Sequence, residues 1–160
     1  MFEGNAIIGQ SGGPTSVINA SLCGVVQTCL KKGMVGESSR INKVLGMKYG
    51  IEGFMQDQLI DLGAQPADVI EGLKTTPSSA LGSCRYKLKD SDFEPVLEKL
   101  KKYDIRYYFL IGGNDTMDTI HRVEAYCKSQ GYDLRGVGIP KTVDNDLFAT
   151  DHTPGFPSAA

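Results

Sequence analysis

Long apolar runs, an excess of charge of either sign, paired cysteines and internal repeats are all missing from this chain of 160 residues. No apolar stretch approaches the ~18 residues of a membrane-spanning helix, and Met1-Phe2-Glu3-Gly4 lacks the basic start of a secretory signal. With 17 Lys plus Arg against 19 Asp plus Glu, the formal charge is −2, which offers no footprint for nucleic acid or an anionic membrane. The four cysteines, Cys23, Cys29, Cys84 and Cys127, form no C-x-x-C pair and are spread too widely for a disulfide framework. They predict free thiols in a reducing compartment, hence the cytoplasm. Cys84 stands beside Arg85, a neighbour that can depress a thiol pKa, but a buried thiol without a role is the simpler expectation. No low-complexity tract or linker-like segment interrupts the chain.

What is present reads as one globular domain. Apolar residues make up 41% and charged residues 22%, which excludes disorder, collagen and coiled coil, and the length supports a real core. Asn5 to Gly9 is a short strand-like run ending in Gln10-Ser11-Gly12-Gly13-Pro14. Helical spacing follows, with Val17, Ile18, Leu22, Val25, Val26, Cys29 and Leu30 on one face. Thr15 or Ser16 is the expected cap, Lys31 and Lys32 suit the helix's negative end, and Gly33 the stop. Between residues 34 and 90 the pattern predicts a strand at 43–47, short helices at 51–55 and 66–74, a loop at 75–79 and a turn at Gly82-Ser83-Cys84-Arg85. Ser91 to Lys102 is helical, with Phe93, Val96, Leu97 and Leu100 inward and a Ser91–Glu94 capping box. A strand at 105–111 and a helix at 116–130 follow, the latter with Met117, Ile120, Val123 and Cys127 inward and Gly131 at its close; a strand from Leu134 to Ile139 ends at Pro140. His121 reads as a partly buried structural histidine, and Tyr107-Tyr108-Phe109 as strand core.

The alternation of strand and helix predicts an α/β fold: an open, mostly parallel sheet with helices on both faces. Right-handed crossovers bring the loops after successive strands to one rim, where ligands bind. Loops 10–14, 112–115 and 140–146 should therefore meet.

Their chemistry is that of a phosphate site. Ser11-Gly12-Gly13 offers bare backbone N–H groups at a helix start, although a plain strand-to-helix turn explains it as well. Gly112-Gly113-Asn114-Asp115-Thr116 adds polar side chains behind two glycines; a turn capped by Asp115 or Thr116 accounts for one of them, not for the run. Pro140-Lys141-Thr142-Val143-Asp144-Asn145-Asp146 supplies a cation, a hydroxyl, two carboxylates and an amide just past a strand. Magnesium-assisted phosphoryl transfer needs that inventory: oxygen ligands, a cation for the moving group and a base for the attacking hydroxyl.

Taken in order, Ser-Gly-Gly-Pro-Thr at 11–15, Leu-Gly-Ser-Cys-Arg at 81–85, Gly-Gly-Asn-Asp-Thr at 112–116, Pro-Lys-Thr-Val-Asp-Asn-Asp at 140–146 and Thr-Asp-His-Thr-Pro-Gly-Phe at 150–156 resemble the N-terminal half of the phosphofructokinase family, and its pyrophosphate-dependent members in particular. The resemblance implies roles. Asp144 is the base for the 1-hydroxyl of fructose 6-phosphate, Asp146 helps bind Mg2+ with Asn114, and Thr142 contacts the sugar phosphate or the moving phosphoryl. Arg85, Gly12, Gly13 and Gly113 hold the donor. Asp115 and Lys141 replace glycines of the ATP-using members; bulk and like charge at 115 oppose a third phosphate, which favours pyrophosphate as donor over ATP.

Two positions depart from the family pattern. Asn114 stands where most members have an aspartate, which removes a charge from the metal site. Pro157 replaces a glycine and is expected to disturb the turn into the next helix. Family members are about twice as long or more, so residues 1–160 are expected to be the donor-binding domain, cut short before the sugar-phosphate domain and inactive or nearly so alone, while the parent assembles as a homo-oligomer. Three rivals remain. A dinucleotide or lipid kinase shares a Gly-Gly-Asp-Gly-type turn but not the 140–146 run. A non-catalytic phosphate-binding module would leave Asp144 and Asp146 idle. A hydride-transferring enzyme would need a G-x-G-x-x-G after the first strand, which is absent.

Overall fold

In the computed structural model, which describes residues 2–31 and 39–159, five strands form one sheet in the order β3-β2-β1-β4-β5. The strands are β1 (Phe2–Gln10), β2 (Ser39–Met47), β3 (Leu59–Asp61), β4 (Ile105–Gly112) and β5 (Arg135–Pro140). All neighbours run parallel except β3, which lies antiparallel on β2. The principal helices are α1 (Ile18–Leu30), α2 (Gly50–Met55), α3 (Ala67–Gly72), α4 (Phe93–Lys102) and α5 (Asn114–Ser129), with a last turn α6 (Phe156–Ala159). The expected α/β architecture is the one observed.

Period-2 alternation in the strands sends neighbours to opposite faces, and both faces are covered. Ile7 and Tyr108 pack with Phe54, Val96, Leu100 and Val123 under α2, α4 and α5. Ile8 and Ile111 pack with Ile18, Leu22, Val26 and Ile70 under α1 and α3. The Tyr107-Tyr108-Phe109 run is strand core as expected: Tyr107 and Tyr108 are buried and Phe109 packs from the edge of the second cluster. All four cysteines are free thiols, and Cys84 is buried.

Several local expectations need correction. Neither Thr15 nor Ser16 caps α1: Thr15 Oγ1 accepts from Val17 N at 3.4 Å, one residue short of the helix. A lost cap costs about 1 kcal/mol, and burying Ile18, Leu22 and Val26 at about 1.5–3 kcal/mol each outweighs it. Leu30, at the end of the expected apolar face, is 46% exposed, while Asn19, a polar residue outside that face, is fully buried. The assigned roles of Lys32 and Gly33 lie outside the described residues. The Ser91–Glu94 box does not form. Instead Asp92 Oδ2 accepts from Lys89 N at 2.7 Å in a 3-10 turn at Asp90–Asp92 that leads into α4. β3 has no counterpart in the sequence pattern, since three residues carry no readable period. β2 begins earlier than its apolar run, because β1 pairs with it from Phe2 opposite Ser39. α5 starts two residues early, at Asn114, with Gly113 rather than Asp115 or Thr116 at its cap position. His121 is exposed on α5, not partly buried. Pro157 falls inside the first turn of α6 and disturbs nothing there, since its missing N–H has no helical partner at that position. Among the described residues no helix is long and apolar enough to cross a membrane.

Candidate functional site

The sheet order changes direction between β1 and β4: the chain leaves β1 toward β2 and leaves β4 toward β5. The crevice at the carboxyl ends of such a pair is the geometric binding place of open α/β sheets. Here the three glycine- and acid-bearing loops do converge. Ser11 N donates to Ile111 O at 2.9 Å, tying the loop after β1 to the end of β4. Lys141 N donates to Gly112 O at 3.0 Å, tying the loop after β5 to the same strand end. A fourth segment, Gly82 to Lys89, joins them, with Gly12 N donating to Cys84 O at 3.4 Å and Ser83 Oγ to Gly12 O at 2.5 Å.

Between these segments lies an open cavity of about 790 Å³ whose wall includes Ser11, Gly12, Arg85, Gly113, Asn114 and Lys141. Gly12 has φ +77°, a left-handed conformation in which any Cβ is strained, and that Cβ would stand 3.2 Å from Lys141 Nζ. A Cβ on Gly13 would meet Arg85 Nη2 at 3.8 Å. Two cations thus lean over the glycine turn. Lys141 is only 5% exposed, yet among the described residues no carboxylate lies within ion-pair distance of its ammonium. Burial first, and then the Arg85 guanidinium, holds Lys141 below the ordinary lysine range, with the Asp144 carboxylate pulling the other way. A desolvated ammonium beside a guanidinium is unfavourable until an anion arrives.

The acidic residues stand at the side of this cavity. Thr142 Oγ1 donates to Asp146 Oδ1 at 2.8 Å and accepts from Asp144 N at 3.1 Å. Asn114 Nδ2 donates to Asp146 Oδ2 at 3.4 Å, so the start of α5 and the loop after β5 share one carboxylate. Asp144 and Asp146 are both exposed. The backbone of Thr142 is held by the returning tail, through Thr142 N to Pro154 O at 2.9 Å and a parallel bridge to Gly155. Asn145, at φ +54°, turns the loop, and its side chain grips Asp151 O and Thr153 N. Asp115, in the first turn of α5, pairs with Lys87 at 2.9 Å, and both are largely exposed. His152 stacks edge-on against Phe156 and is exposed.

All the residues expected at a phosphate site therefore gather at one rim, although Thr142, Asp144 and Asp146 flank the cavity rather than line it. Sequence reading overlooked four contributors. Arg122 sits two helical turns beyond Asn114 on α5 and bonds Asp90 at 3.0 Å; the four-residue steps from Asn114 through Asp118 to Arg122 were the available signal. Lys87 follows Arg85 by two and lines the same cavity. Gln10 and Asn19 are fully buried below the glycine turn, and nothing local in the sequence separates them from surface amides.

The rim thus carries a cation-lined cavity at the switch point of an α/β sheet, with an acidic loop beside it. The family model for phosphofructokinase matches residues 5–160, and the chain belongs to that family. It is 44% identical to a pyrophosphate–fructose 6-phosphate 1-phosphotransferase of Halomonas elongata, covering all of this chain and 38% of that relative. It is 42% identical to a sulfofructose kinase of Alkalicoccus urumqiensis, over 96% of this chain and 38% of that protein. The crystal structure of a pyrophosphate-dependent phosphofructokinase from Marinobacter aquaeolei superposes with a TM-score of 0.87 at 42% identity, over 98% of this chain and 37% of that one. The chain thus spans well under half the length of the relatives it matches.

Proposed function

We propose that residues 1–160 form the donor-binding domain of a longer enzyme that moves a phosphoryl group from pyrophosphate to the 1-hydroxyl of fructose 6-phosphate, giving fructose 1,6-bisphosphate in glycolysis. The observation that carries this reading is the nearly buried Lys141 ammonium, set with Arg85 over the Gly12–Gly13 turn and with no ion-pair partner among the described residues. Such a pocket gains most from a compact, multiply charged anion. Asp115, braced by Lys87 at the cavity wall, places bulk where a longer polyphosphate would extend, which supports pyrophosphate over ATP.

Asp144 accepts the proton of the attacking hydroxyl, and Thr142, through its bonds to Asp144 N and Asp146 Oδ1, holds the two carboxylates in fixed relation. Lys141, Arg85 and the backbone of Gly12, Gly13 and Gly113 hold the donor. The residues also fit Mg2+. Among the described residues no three His, Cys, Asp or Glu side chains gather into a cage, but Mg2+ is commonly held by one or two carboxylates together with substrate phosphates and water. Asp146 with the Asn114 amide oxygen supplies that modest set, and the ion would neutralise charge on the phosphates.

The sulfofructose kinase matches over nearly the same stretch, so acceptor choice is assigned to the part of the enzyme beyond residue 160. The four free thiols suit a cytoplasmic enzyme, and the full-length protein is taken to be a homo-oligomer. The test is a coupled assay of the full-length protein with Mg2+ and fructose 6-phosphate, offered pyrophosphate and ATP separately. Turnover with pyrophosphate alone, abolished by Asp144→Asn, is the expected result. Preference for ATP, or an active Asp144→Asn enzyme, overturns it.

A further inference from the structure

Beneath the anion pocket lies a polar cluster that belongs to no part of the reaction. Gln10, the last residue of β1, and Asn19, the second residue of α1, are both 0% exposed. Gln10 Nε2 donates to Asn19 Oδ1 at 2.9 Å and to Ile18 O at 3.4 Å. This amide contact joins the two ends of the glycine turn, so the spacing between β1 and α1 is set from inside.

The same two amides reach outward to a strap of chain. Gln10 Oε1 accepts from Ser79 Oγ and from Leu81 N, both at 2.9 Å. Asn19 Oδ1 accepts from Ala80 N at 2.8 Å, and Asn19 Nδ2 donates to Thr76 O at 2.8 Å and to Pro77 O at 3.3 Å. Every donor and every acceptor site of both side chains is then used. Their orientation is dictated, because Leu81 N and Ala80 N can only donate and Thr76 O and Pro77 O can only accept. A carboxylate at either position would lose its donors and bring a charge into a dry interior.

From Leu81 the strap runs directly into the site. It turns at Gly82, where φ is +74° and a Cβ would strike the Tyr49 ring at 2.6 Å, and three residues later Arg85 leans over Gly13. One side of the amide pair thus fixes the Gly12–Gly13 turn, and the other fixes the strap that brings the guanidinium. We propose that Gln10 and Asn19 are positioning residues for the phosphoryl donor: they set the distance between the Gly12–Gly13 turn and Arg85 and touch no ligand themselves. A network that only held the core together would need no tie to the strap bearing Arg85.

This inference rests on the donor reading above, and the experiment separates the two. Inorganic pyrophosphate is titrated calorimetrically into the full-length protein carrying Asn19→Asp, Ser79→Ala, Arg85→Ala and the paired combinations. Asn19→Asp weakens pyrophosphate binding about tenfold and Ser79→Ala about twofold, with KM for fructose 6-phosphate unchanged. In the Arg85→Ala background both effects vanish, because there is no guanidinium left to misplace. Ser79→Ala removes a single bond to a half-exposed residue, so it keeps the test decisive if Asn19→Asp does not fold. Effects that add fully to Arg85→Ala, or a loss of thermal stability with unchanged pyrophosphate affinity, overturn the positioning role. Failure of the wild-type protein to bind pyrophosphate overturns the donor reading, and the positioning role with it.

Discussion

The Nζ of Lys141 stands 3.2 Å from the point a Cβ on Gly12 would occupy, so the cation after β5 and the glycine turn after β1 share one space. Gly12→Ala both forces a left-handed residue to carry a Cβ and presses on the ammonium. The variant should lose about 1–2 kcal/mol of stability from the backbone alone. It should also bind pyrophosphate more weakly than that strain explains, as read by a melting curve beside a calorimetric titration.

Lys141→Met should divide stability from binding. Removing a desolvated ammonium beside Arg85 relieves an unfavourable burial, so the melting temperature should hold or rise. Pyrophosphate affinity should fall about 10- to 100-fold, the size of a lost charged hydrogen bond. In the wild-type protein the native Lys141 releases its proton below the ordinary lysine pKa of 10.5, while the unfolded chain still holds it. The lysine's contribution to stability therefore rises with pH in that window, and pyrophosphate affinity falls through it. Lys141→Arg should carry the loss of binding to higher pH.

Asn114→Asp should strengthen Mg2+ binding. The Asn114 amide now donates to Asp146 at 3.4 Å. A carboxylate in its place repels Asp146 without the ion and joins it in holding the ion. Titration with Mg2+ alone should show about tenfold tighter binding, as expected for an added ligand charge.

The thiols should set an alkaline limit. Burial pushes Cys29 and Cys127 up to about 11 from 9.0. Between those values the unfolded chain has lost protons that the native chain keeps, so stability falls as pH rises through the window. Replacing both cysteines by alanine should flatten that fall, and thiol reagents near pH 8 should reach Cys127 only on unfolding.

Asp57 marks a support outside the cavity wall. It sits at φ +60° between α2 and β3 and accepts from Lys99 at 2.5 Å, Tyr103 at 2.7 Å and Lys102 at 3.0 Å, all from α4 and its end. These donors, Lys99 foremost, hold its carboxyl well below the ordinary carboxylate range. Its contribution is full above that range and is lost as pH falls through its lowered pKa. Asp57→Asn should lower the melting temperature at neutral pH and narrow the difference between neutral and acid melting temperatures.

Periodicity made most elements legible. Phe93, Val96, Leu97 and Leu100 are all buried at their helical spacing, and the 105–111 strand is observed within one residue. Elements without internal period escaped. β3 has three residues and exists because β2 offers an open edge, and β2 extends back to Ser39 because β1 is there to pair with it. Caps were misread for a similar reason: Ser, Thr and Asp near a helix start satisfy many local patterns, and packing decides which one forms.

The order of residues alone settled the chemistry on offer, because glycines, lysine and acids directly after strands are a local fact and parallel crossovers carry such loops to one edge. Only the folded chain settled which groups touch. Lys141 became a nearly buried cation beside the Gly12 turn and the Arg85 guanidinium, and Asn114 met Asp146 because β4 and β5 are neighbours in the sheet. Gln10 and Asn19 look like any surface amides until strand order and crossover bury them together. Burial and distance are properties of the assembled layers, and no window along the chain contains them.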